Sequence, residues 1–264
     1  MSGGAIIELQ DVGKSFDGGR SFAVDGVSLS VEAGGFLALV GASGSGKTTT
    51  LKIINRLVEP DRGQVLVEGA PAGGLAAPEL RRRIGYVFQG IGLFPHLSVA
   101  ENIGVTPSLL GWHKAEIAAR TLELLDLVEL PRAYAARAPA ALSGGERQRV
   151  GVARALAARP RIVLMDEPFG ALDPVTRDSL GQAYRDLHQR LGLTTVMVTH
   201  DMQEAILLAD RITVMRSGKL VADGAPADLA GHAADPDVRA LMDMPRRQAE
   251  RVQSRLGEGG GPHG

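Results

Sequence analysis

Short apolar runs alternate along this sequence with segments of helical period. The run 36–40 is apolar throughout and leads into a glycine-rich loop, which is typical of a strand buried on both faces of a sheet. Further strands are predicted at 64–67, 85–88, 162–165, 195–198 and 212–215. Helices are predicted over 48–57, with a stop near Pro60, and over 176–191 and 202–209. This alternation predicts an α/β core built on a mostly parallel sheet.

Three regions depart from the alternation. The β-prone runs 6–9 and 22–31, interrupted by glycine-containing turns, predict an antiparallel N-terminal β subdomain. Between about 98 and 157 the apolar spacing becomes helical, which predicts a helical subdomain inserted into the core. After about Ala225 the pattern fades, and the glycine-rich segment 257–264 is expected to be disordered.

The composition narrows the class of protein. A chain of 264 residues with 44% apolar content can bury a sizeable core. Its formal net charge of −1 makes nucleic acid a poor candidate partner, and the absence of cysteine excludes disulfides and thiolate metal sites. The first 14 residues do not resemble a secretory signal, and the apolar runs are far shorter than the roughly 20 residues that cross a bilayer. We therefore expect a cytoplasmic chain that would depend on other chains to span a membrane.

Residues 41–48 fit the phosphate-loop pattern G-x-x-x-x-G-K-[ST]. Because the loop follows a buried strand and opens a helix, its backbone N–H groups and the helix dipole would converge on phosphate. Lys47 would reach the β- and γ-phosphates, and the Thr48 hydroxyl would bind Mg²⁺. The alternative, a glycine-rich turn with an incidental lysine, is disfavoured by this context. The nucleotide-binding residues predicted here are Gly41, Ser43, Gly44, Ser45, Gly46, Lys47, Thr48 and Thr49.

Polar residues follow three of the other predicted strands. Asp166 and Glu167 end one strand, and they could hold the metal and polarise the attacking water, respectively. His200 and Gln89 follow two more strands and could reach the γ-phosphate and the Mg²⁺. Taken alone, each would be an ordinary surface residue at a strand end. Together with the phosphate loop they predict catalytic roles for Glu167, His200, Gln89 and Lys47, and a metal site at Thr48, Gln89 and Asp166.

The segment 142–148, Leu-Ser-Gly-Gly-Glu-Arg-Gln, contains a second helix start able to receive an anion. The N–H groups of Ser143, Gly144 and Gly145 and the Ser143 hydroxyl would face the anion. An ordinary helix cap is the alternative. A single nucleotide has one γ-phosphate, and Lys47 already holds it.

These motifs, in this order and with Ala171-Leu172-Asp173 before His200, resemble the nucleotide-binding subunits of ABC transporters over about residues 5–230. The resemblance implies a P-loop NTPase (RecA-like) fold that hydrolyses ATP with Mg²⁺. It implies a head-to-tail dimer in which Ser143, Gly144 and Gly145 of one chain complete the site of the other, with Asp173 also at the nucleotide. Phe16 occupies the place of the adenine-stacking aromatic, although a core role for Phe16 is equally open.

Within that family, the stretches 53–60 and 85–96 are similar to ATPases of osmoprotectant importers for glycine betaine, choline or carnitine. This implies membrane permeases and, indirectly, a substrate-binding protein as partners, at the cytoplasmic face of the inner membrane. Many members of the branch continue into CBS domains, whereas this sequence stops at Gly264, so we do not expect it to sense ionic strength. Four arginines lie near the end, at 246, 247, 251 and 255, and could contact an anionic membrane surface. We expect them instead to form a solvated helix face.

Several alternatives stay open at this point. The chain could serve an importer of another small solute, such as an amino acid. A soluble ABC ATPase acting on nucleic acid or ribosomes is disfavoured by the single cassette and the lack of basic excess. A P-loop kinase or GTPase is disfavoured because no Asn-Lys-x-Asp segment is present. The expected domains are a nucleotide-binding domain at 5–230, with its helical subdomain at about 90–157, and a C-terminal extension at 231–264.

Overall fold

A computed structural model describes residues 4–90, 92–170 and 172–257. Ala171 of the Ala-Leu-Asp segment and most of the segment expected to be disordered, residues 258–264, lie outside the described residues.

The central sheet has six strands in the order β10-β9-β3-β8-β7-β6. Its strands are β3 (Phe36–Val40), β6 (Ile84–Val87), β7 (Ile162–Asp166), β8 (Thr194–Val198), β9 (Arg211–Arg216) and β10 (Lys219–Gly224). All pairings from β9 to β6 are parallel, and only the β9–β10 pairing is antiparallel. The predicted α/β core is therefore confirmed, and the carboxyl ends of β3, β6, β7 and β8 meet at one edge of the sheet.

Both faces of this sheet are covered. Along β3, Phe36, Ala38 and Val40 belong to one apolar cluster, whereas Leu37 and Leu39 belong to another on the opposite face. Successive side chains of a strand point to opposite faces, so a strand buried on both sides must be apolar throughout. This is why the continuous run 36–40 identified a central strand.

A second sheet of four strands, in the order β2-β1-β4-β5, is antiparallel. Its strands are β1 (Ala5–Lys14), β2 (Val24–Glu32), β4 (Arg62–Val67) and β5 (Ala70–Pro71). The predicted N-terminal β subdomain is confirmed, although β2 begins two residues later than the sequence pattern indicated.

Along the chain, most helices connect one strand to the next. They are α1 (Lys47–Ile54), α2 (Ala77–Arg83), α3 (Val99–Leu109), α4 (Lys114–Leu127), α5 (Gly144–Leu156), α6 (Pro174–Leu191), α7 (Met202–Leu208), α8 (Pro226–His232) and α9 (Pro236–Gly257). Helices α3, α4 and α5 form the helical subdomain around buried residues such as Ile103, Leu124 and Val150. None of the helices within the described ranges is long and apolar enough to cross a bilayer.

The sequence-based predictions were also wrong about the end of α1 and about the region after Ala225. Helix α1 ends at Ile54 rather than at 57, because Asn55 leaves the helical conformation and Arg56 has a φ of 50°. The fading pattern after Ala225 hides two helices, α8 and α9. Only the first part of α9 packs on the core, through Val238 and Met242, and residues 246–256 are exposed on every side. The strongly polar composition of α9 and Pro245 within it hid this helix in the sequence, because a proline normally marks a break in a helical pattern.

Candidate functional site

The loop between β3 and α1 owes its shape to glycines with positive φ. A Cβ on Gly41 (φ 147°) would lie 2.2 Å from the Met215 carbonyl oxygen, and one on Gly46 (φ 103°) would lie 2.2 Å from the Ala23 carbonyl oxygen. Gly44 (φ 76°) has no neighbouring atom within 4 Å of such a Cβ. The first two glycines therefore permit close backbone packing, whereas Gly44 leaves the open side of the loop free for a ligand.

Lys47 closes this loop from within. Its side chain is buried, and its Nζ donates hydrogen bonds to the carbonyl oxygens of Gly41 (2.7 Å) and Ala42 (2.8 Å). Burial lowers the pKa of Lys47, and the nearby carboxylates of Glu167 and Asp166 oppose that effect. A partly desolvated ammonium group beside a helix N-terminus forms a site for an anion such as phosphate.

Thr48 and Asp166 lie together at the base of the loop. The Thr48 hydroxyl donates to Asp166 Oδ1 over 2.8 Å, and Asp166 is only 4% exposed. Burial raises the pKa of this carboxyl group, while the Thr48 hydrogen bond and the charges of Lys52 and Lys47 act in the opposite direction. A hydroxyl and a carboxylate side by side are the oxygen donors that Mg²⁺ prefers, and a cation would offset the cost of the buried charge. The residues present thus fit the metal that the sequence motif implies.

Two of the predicted catalytic side chains, Gln89 and His200, converge on one carboxylate oxygen of a third, Glu167. Gln89 Nε2 donates to Glu167 Oε2 over 3.1 Å, and His200 Nδ1 lies 3.4 Å from the same atom. The backbone of Glu167 has a φ of 47°, a conformation that non-glycine residues rarely adopt, and its N–H donates to the Val198 carbonyl oxygen. Such backbone strain is often found at functional sites. The parallel sheet has brought together residues that are far apart in the sequence.

The residues on either side of His200 belong to a hydrogen-bond and ion-pair network that the sequence analysis did not predict. The Thr199 hydroxyl donates to Glu204 Oε2 (2.7 Å), and Asp201 caps α7 by accepting the backbone N–H of Gln203 (2.8 Å). Arg177 on α6 contacts Asp201 over 3.1 Å. The residue pattern Asp201 to Glu204 before an apolar run was a readable cap signal, but the ion pair with Arg177 is purely tertiary.

Phe16 is not a core residue. Its ring is 66% exposed, with Lys14 Nζ 5.6 Å from the ring centroid. No hydrogen bond, ion pair or ring contact between described residues joins it to the phosphate loop. An exposed aromatic ring near the end of β1 retains a free face on which a base could stack.

The segment around Ser143 forms an N-cap of α5. Ser143 Oγ accepts the backbone N–H of Glu146 over 3.2 Å, and the Glu146 carboxylate accepts the Ser143 N–H over 2.7 Å. A Cβ on Gly145 would lie 3.2 Å from the Leu172 side chain, next to Asp173, which caps α6 through the Thr176 N–H. In the part of the chain that the structure describes, no hydrogen bond or ion pair links Ser143, Gly144, Gly145 or Asp173 to residues 41–49. Within the described residues, hydrogen bonds join the phosphate loop to Asp166, whereas the Ser143 segment is bonded to its own helix start.

The C-terminal region also reaches the phosphate loop, which the sequence did not indicate. A cavity of about 300 Å³ is lined by the loop, by the end of β9 and by the start of α9. Arg216 joins these elements through ion pairs to Asp235 (3.0 Å) and Asp237 (3.4 Å).

Comparisons with known proteins agree with this arrangement. The sequence profile of the family described as "ABC transporter" matches residues 24–170, which is more than half of the chain. The chain is 47% identical over 241 residues to the choline transport ATP-binding protein OpuBA of Bacillus subtilis, covering 91% of this chain and 63% of that relative. It is 50% identical over 237 residues to the glycine betaine uptake system ATP-binding protein YehX of Escherichia coli, covering 90% of this chain and 76% of the relative.

Relatives named for other substrates reach the same level of identity. The Fe(3+) ions import ATP-binding protein FbpC of Pseudomonas fluorescens is 50% identical over 239 residues, covering 89% of this chain and 66% of the relative. Among solved structures, the ATP-binding cassette MJ0796, a dimer in a post-hydrolysis state bound to ADP and Pi, has a TM-score of 0.76 and 36% identity. That match covers 83% of this chain and 98% of the MJ0796 chain. With its phosphate loop, its Asp166-Glu167 pair and its Ser143 segment in this fold, the chain belongs to the ABC transporter family of ATP-binding domains.

Proposed function

We propose that this chain is the ATP-hydrolysing subunit of an ABC importer. The observation that carries the proposal is the convergence of Gln89 and His200 on Glu167, one residue from the Asp166 carboxylate that accepts the Thr48 hydroxyl. A base, a metal-binding pair and a phosphate-binding lysine within one sheet edge are the parts that phosphoryl transfer to water requires. The nucleotide-binding domain is proposed to comprise residues 5–230, with its helical subdomain at about 90–157 and a C-terminal extension at 231–264.

Each side chain has a distinct part in the proposed mechanism. Lys47 exchanges its bonds to loop carbonyls for bonds to the β- and γ-phosphates. Thr48, Asp166 and Gln89 would hold Mg²⁺, which when bound would neutralise phosphate charge. Glu167 orients the attacking water and accepts its proton, and His200 donates a hydrogen bond to the γ-phosphate.

The second half of the site comes, in this proposal, from another copy of the chain. Two helix starts present cap atoms and N–H groups, at Ser143, Gly144, Gly145 and Asp173, and among the described residues no hydrogen bond or ion pair joins them to the phosphate loop. In a head-to-tail dimer they would face the γ-phosphate bound by the partner, so that nucleotide draws the two copies together and hydrolysis releases them. The dimeric structure of MJ0796 bound to ADP and Pi supports this arrangement.

A groove beside Gln89 is the proposed docking site for a membrane permease. Its cavity of about 180 Å³ is lined by the segment after α1 and by residues of α2, β6, α3 and α5, among them Asn55, Leu57, Tyr86 and Phe88. Leu57 and Phe88 are 41% exposed, and Phe94 is 43% exposed. The buried Asn55 Oδ1 and Tyr86 OH have no hydrogen-bond partner among the described residues. Since buried polar atoms are normally paired, a bound segment that supplied partners would be favoured here.

We further propose that the cargo is an osmoprotectant, a quaternary amine such as glycine betaine, choline or carnitine. Similarity to the choline transport protein OpuBA and the glycine betaine uptake protein YehX supports this choice, and the two sequence stretches 53–60 and 85–96 favour the same branch. The chain spans 63% of the length of OpuBA, so the cargo, the permease and a substrate-binding protein are part of the proposal. The location that follows from it is the cytoplasmic face of the inner membrane, held there by the permease.

Uptake measurements test the cargo directly. Cells lacking this chain should lose accumulation of radiolabelled betaine, choline or carnitine, and expression of the wild-type chain should restore it. Loss of iron or sulfate uptake instead would favour the alternative of an importer for another solute, which the 50% identity to FbpC keeps in view. Co-purification with a membrane protein is expected, and co-purification with RNA would favour a soluble ABC ATPase.

A further inference from the structure

A patch of basic and apolar residues lies at the opposite end of the strands from the catalytic edge. A cavity of about 460 Å³ at the start of β6 and β7 is lined by Arg82, Arg83, Arg159, Arg161 and Leu110, among others. All four arginines are exposed, and Leu109 and Leu110 are 58% and 44% exposed. Together with Trp112, these residues are called the basic-apolar patch below.

The charge of this patch is only partly compensated. Arg83 pairs with Glu79 over 2.5 Å, and Arg161 pairs with Glu68 over 3.1 Å. Arg82 has no ion pair among the described residues. Arg159 lies over the Trp112 ring, 5.3 Å from its centroid, and likewise has no carboxylate partner. Two guanidinium groups therefore face solvent without a counter-charge.

The apolar part of the patch sits beside those cations. Leu109 and Leu110 end α3, and Trp112 and Lys114 follow within the next four residues. Tryptophan, leucine and basic side chains in one exposed segment are the composition found at the boundary between lipid headgroups and acyl chains. The 460 Å³ cavity also shares lining residues, including Ile84 and Pro160, with the groove proposed for the permease.

From this juxtaposition we infer that the basic-apolar patch contacts an anionic lipid surface. A second copy of the chain in a twofold-symmetric contact is a poor occupant, because it would place Arg82 and Arg159 against their own equivalents. An anionic bilayer supplies the opposite charge to the arginines and an apolar boundary to Leu109, Leu110 and Trp112. The inference rests on the proposed function only for the orientation of the patch. A chain docked on a permease through the neighbouring groove would hold this patch towards the membrane.

The experiment uses the purified full chain and vesicles without permease or nucleotide. Flotation is compared between phosphatidylcholine vesicles and vesicles containing about one third phosphatidylglycerol, at low salt, where such attraction is least screened. Trp112 is the single tryptophan of the sequence, so its fluorescence reports on this patch alone. We expect binding to the anionic vesicles only, with a blue shift of the Trp112 emission.

A charge-matched pair of variants locates the contact. Arg82→Gln with Arg159→Gln should weaken vesicle binding about 30-fold, since each basic residue near such a surface contributes about fivefold. Arg251→Gln with Arg255→Gln removes the same charge from the exposed half of α9 and should leave binding unchanged.

Three outcomes would overturn the inference: no preference of the wild-type chain for anionic vesicles, binding without a Trp112 shift, or an equal or larger loss in the α9 variant. The first two use the wild-type chain and do not depend on the folding of any variant. ATP turnover is measured separately, so a failure here leaves the ATPase proposal standing, and an inactive ATPase leaves the vesicle result interpretable.

Discussion

The substitution Ser143→Asp separates a role for Ser143 in helix capping from a role in binding a partner's phosphate. Aspartate is as good an N-cap as serine, so its carboxylate can accept the Glu146 N–H in place of the Ser143 hydroxyl. The fold of α5 should therefore survive. In the proposed dimer, however, the new carboxylate would face the γ-phosphate held by the phosphate loop of the other copy.

The size of the effect follows from the charge. Two like unit charges about 4 Å apart repel by about 4 kcal/mol at the effective dielectric constant of a protein surface. This corresponds to about a 10³-fold loss of ATP-driven dimerisation and of hydrolysis. Ser98 provides a matched control, because it caps α3 with the same reciprocal bonds, here to Glu101. Ser98→Asp should keep the ATP turnover of the isolated chain.

The assay is steady-state phosphate release together with size-exclusion chromatography in the presence of ATP. Thermal unfolding of the two variants checks that both caps are intact. Mixing Ser143→Asp with Lys47→Ala adds a further test, because a mixed dimer has one intact composite site and should restore up to about a quarter of wild-type activity. Wild-type turnover by Ser143→Asp, or equal losses in Ser143→Asp and Ser98→Asp, would refute the composite site.

Three further predictions concern other parts of the chain. Glu167→Gln should lower ATP turnover by about 10²–10⁴-fold and accumulate an ATP-bound dimer, because a proton acceptor is lost; unchanged turnover would remove Glu167 from that role. Phe16→Ala should weaken ATP binding by about 5–150-fold and Phe16→Tyr should retain it, because stacking on the exposed ring is lost only in the first; equal affinities in a titration would contradict stacking. Burial lowers the pKa of His188 below its usual 6.5, so the unfolded chain binds a proton more tightly than the folded chain does. The free energy of unfolding should therefore fall as the pH drops below about 6.5, by up to about 1.4 kcal/mol per pH unit. His188→Gln should flatten that slope in denaturant titrations, and an identical slope would show that other groups cause it.

The phosphate loop and the strands around it could be predicted from the sequence, because the constraints on their residues are local. Glycine is required at 41 and 46, because a Cβ at either position would lie 2.2 Å from a backbone carbonyl oxygen. A strand buried on both faces, such as β3, must be apolar at every position. The end of α1 could not be read from the sequence, because Asn55 ends the helix without glycine or proline. Helix α9 was missed because its sequence is strongly polar and contains Pro245, which normally marks a break in a helical pattern.

The sequence by itself determined which chemical groups are available and in which order they occur along the chain, because each motif needs particular residues at fixed short spacings. Only the tertiary structure decided which of them meet. Gln89, Glu167 and His200 lie within hydrogen-bonding or ion-pair distance because β6, β7 and β8 run parallel and end at one edge of the sheet, an arrangement set by long-range pairing. In the same structure Ser143 and Asp173 cap α5 and α6, and no hydrogen bond or ion pair among the described residues joins them to Lys47. Phe16 illustrates the same limit, since its burial depends on what packs above β1, and the structure leaves its ring exposed.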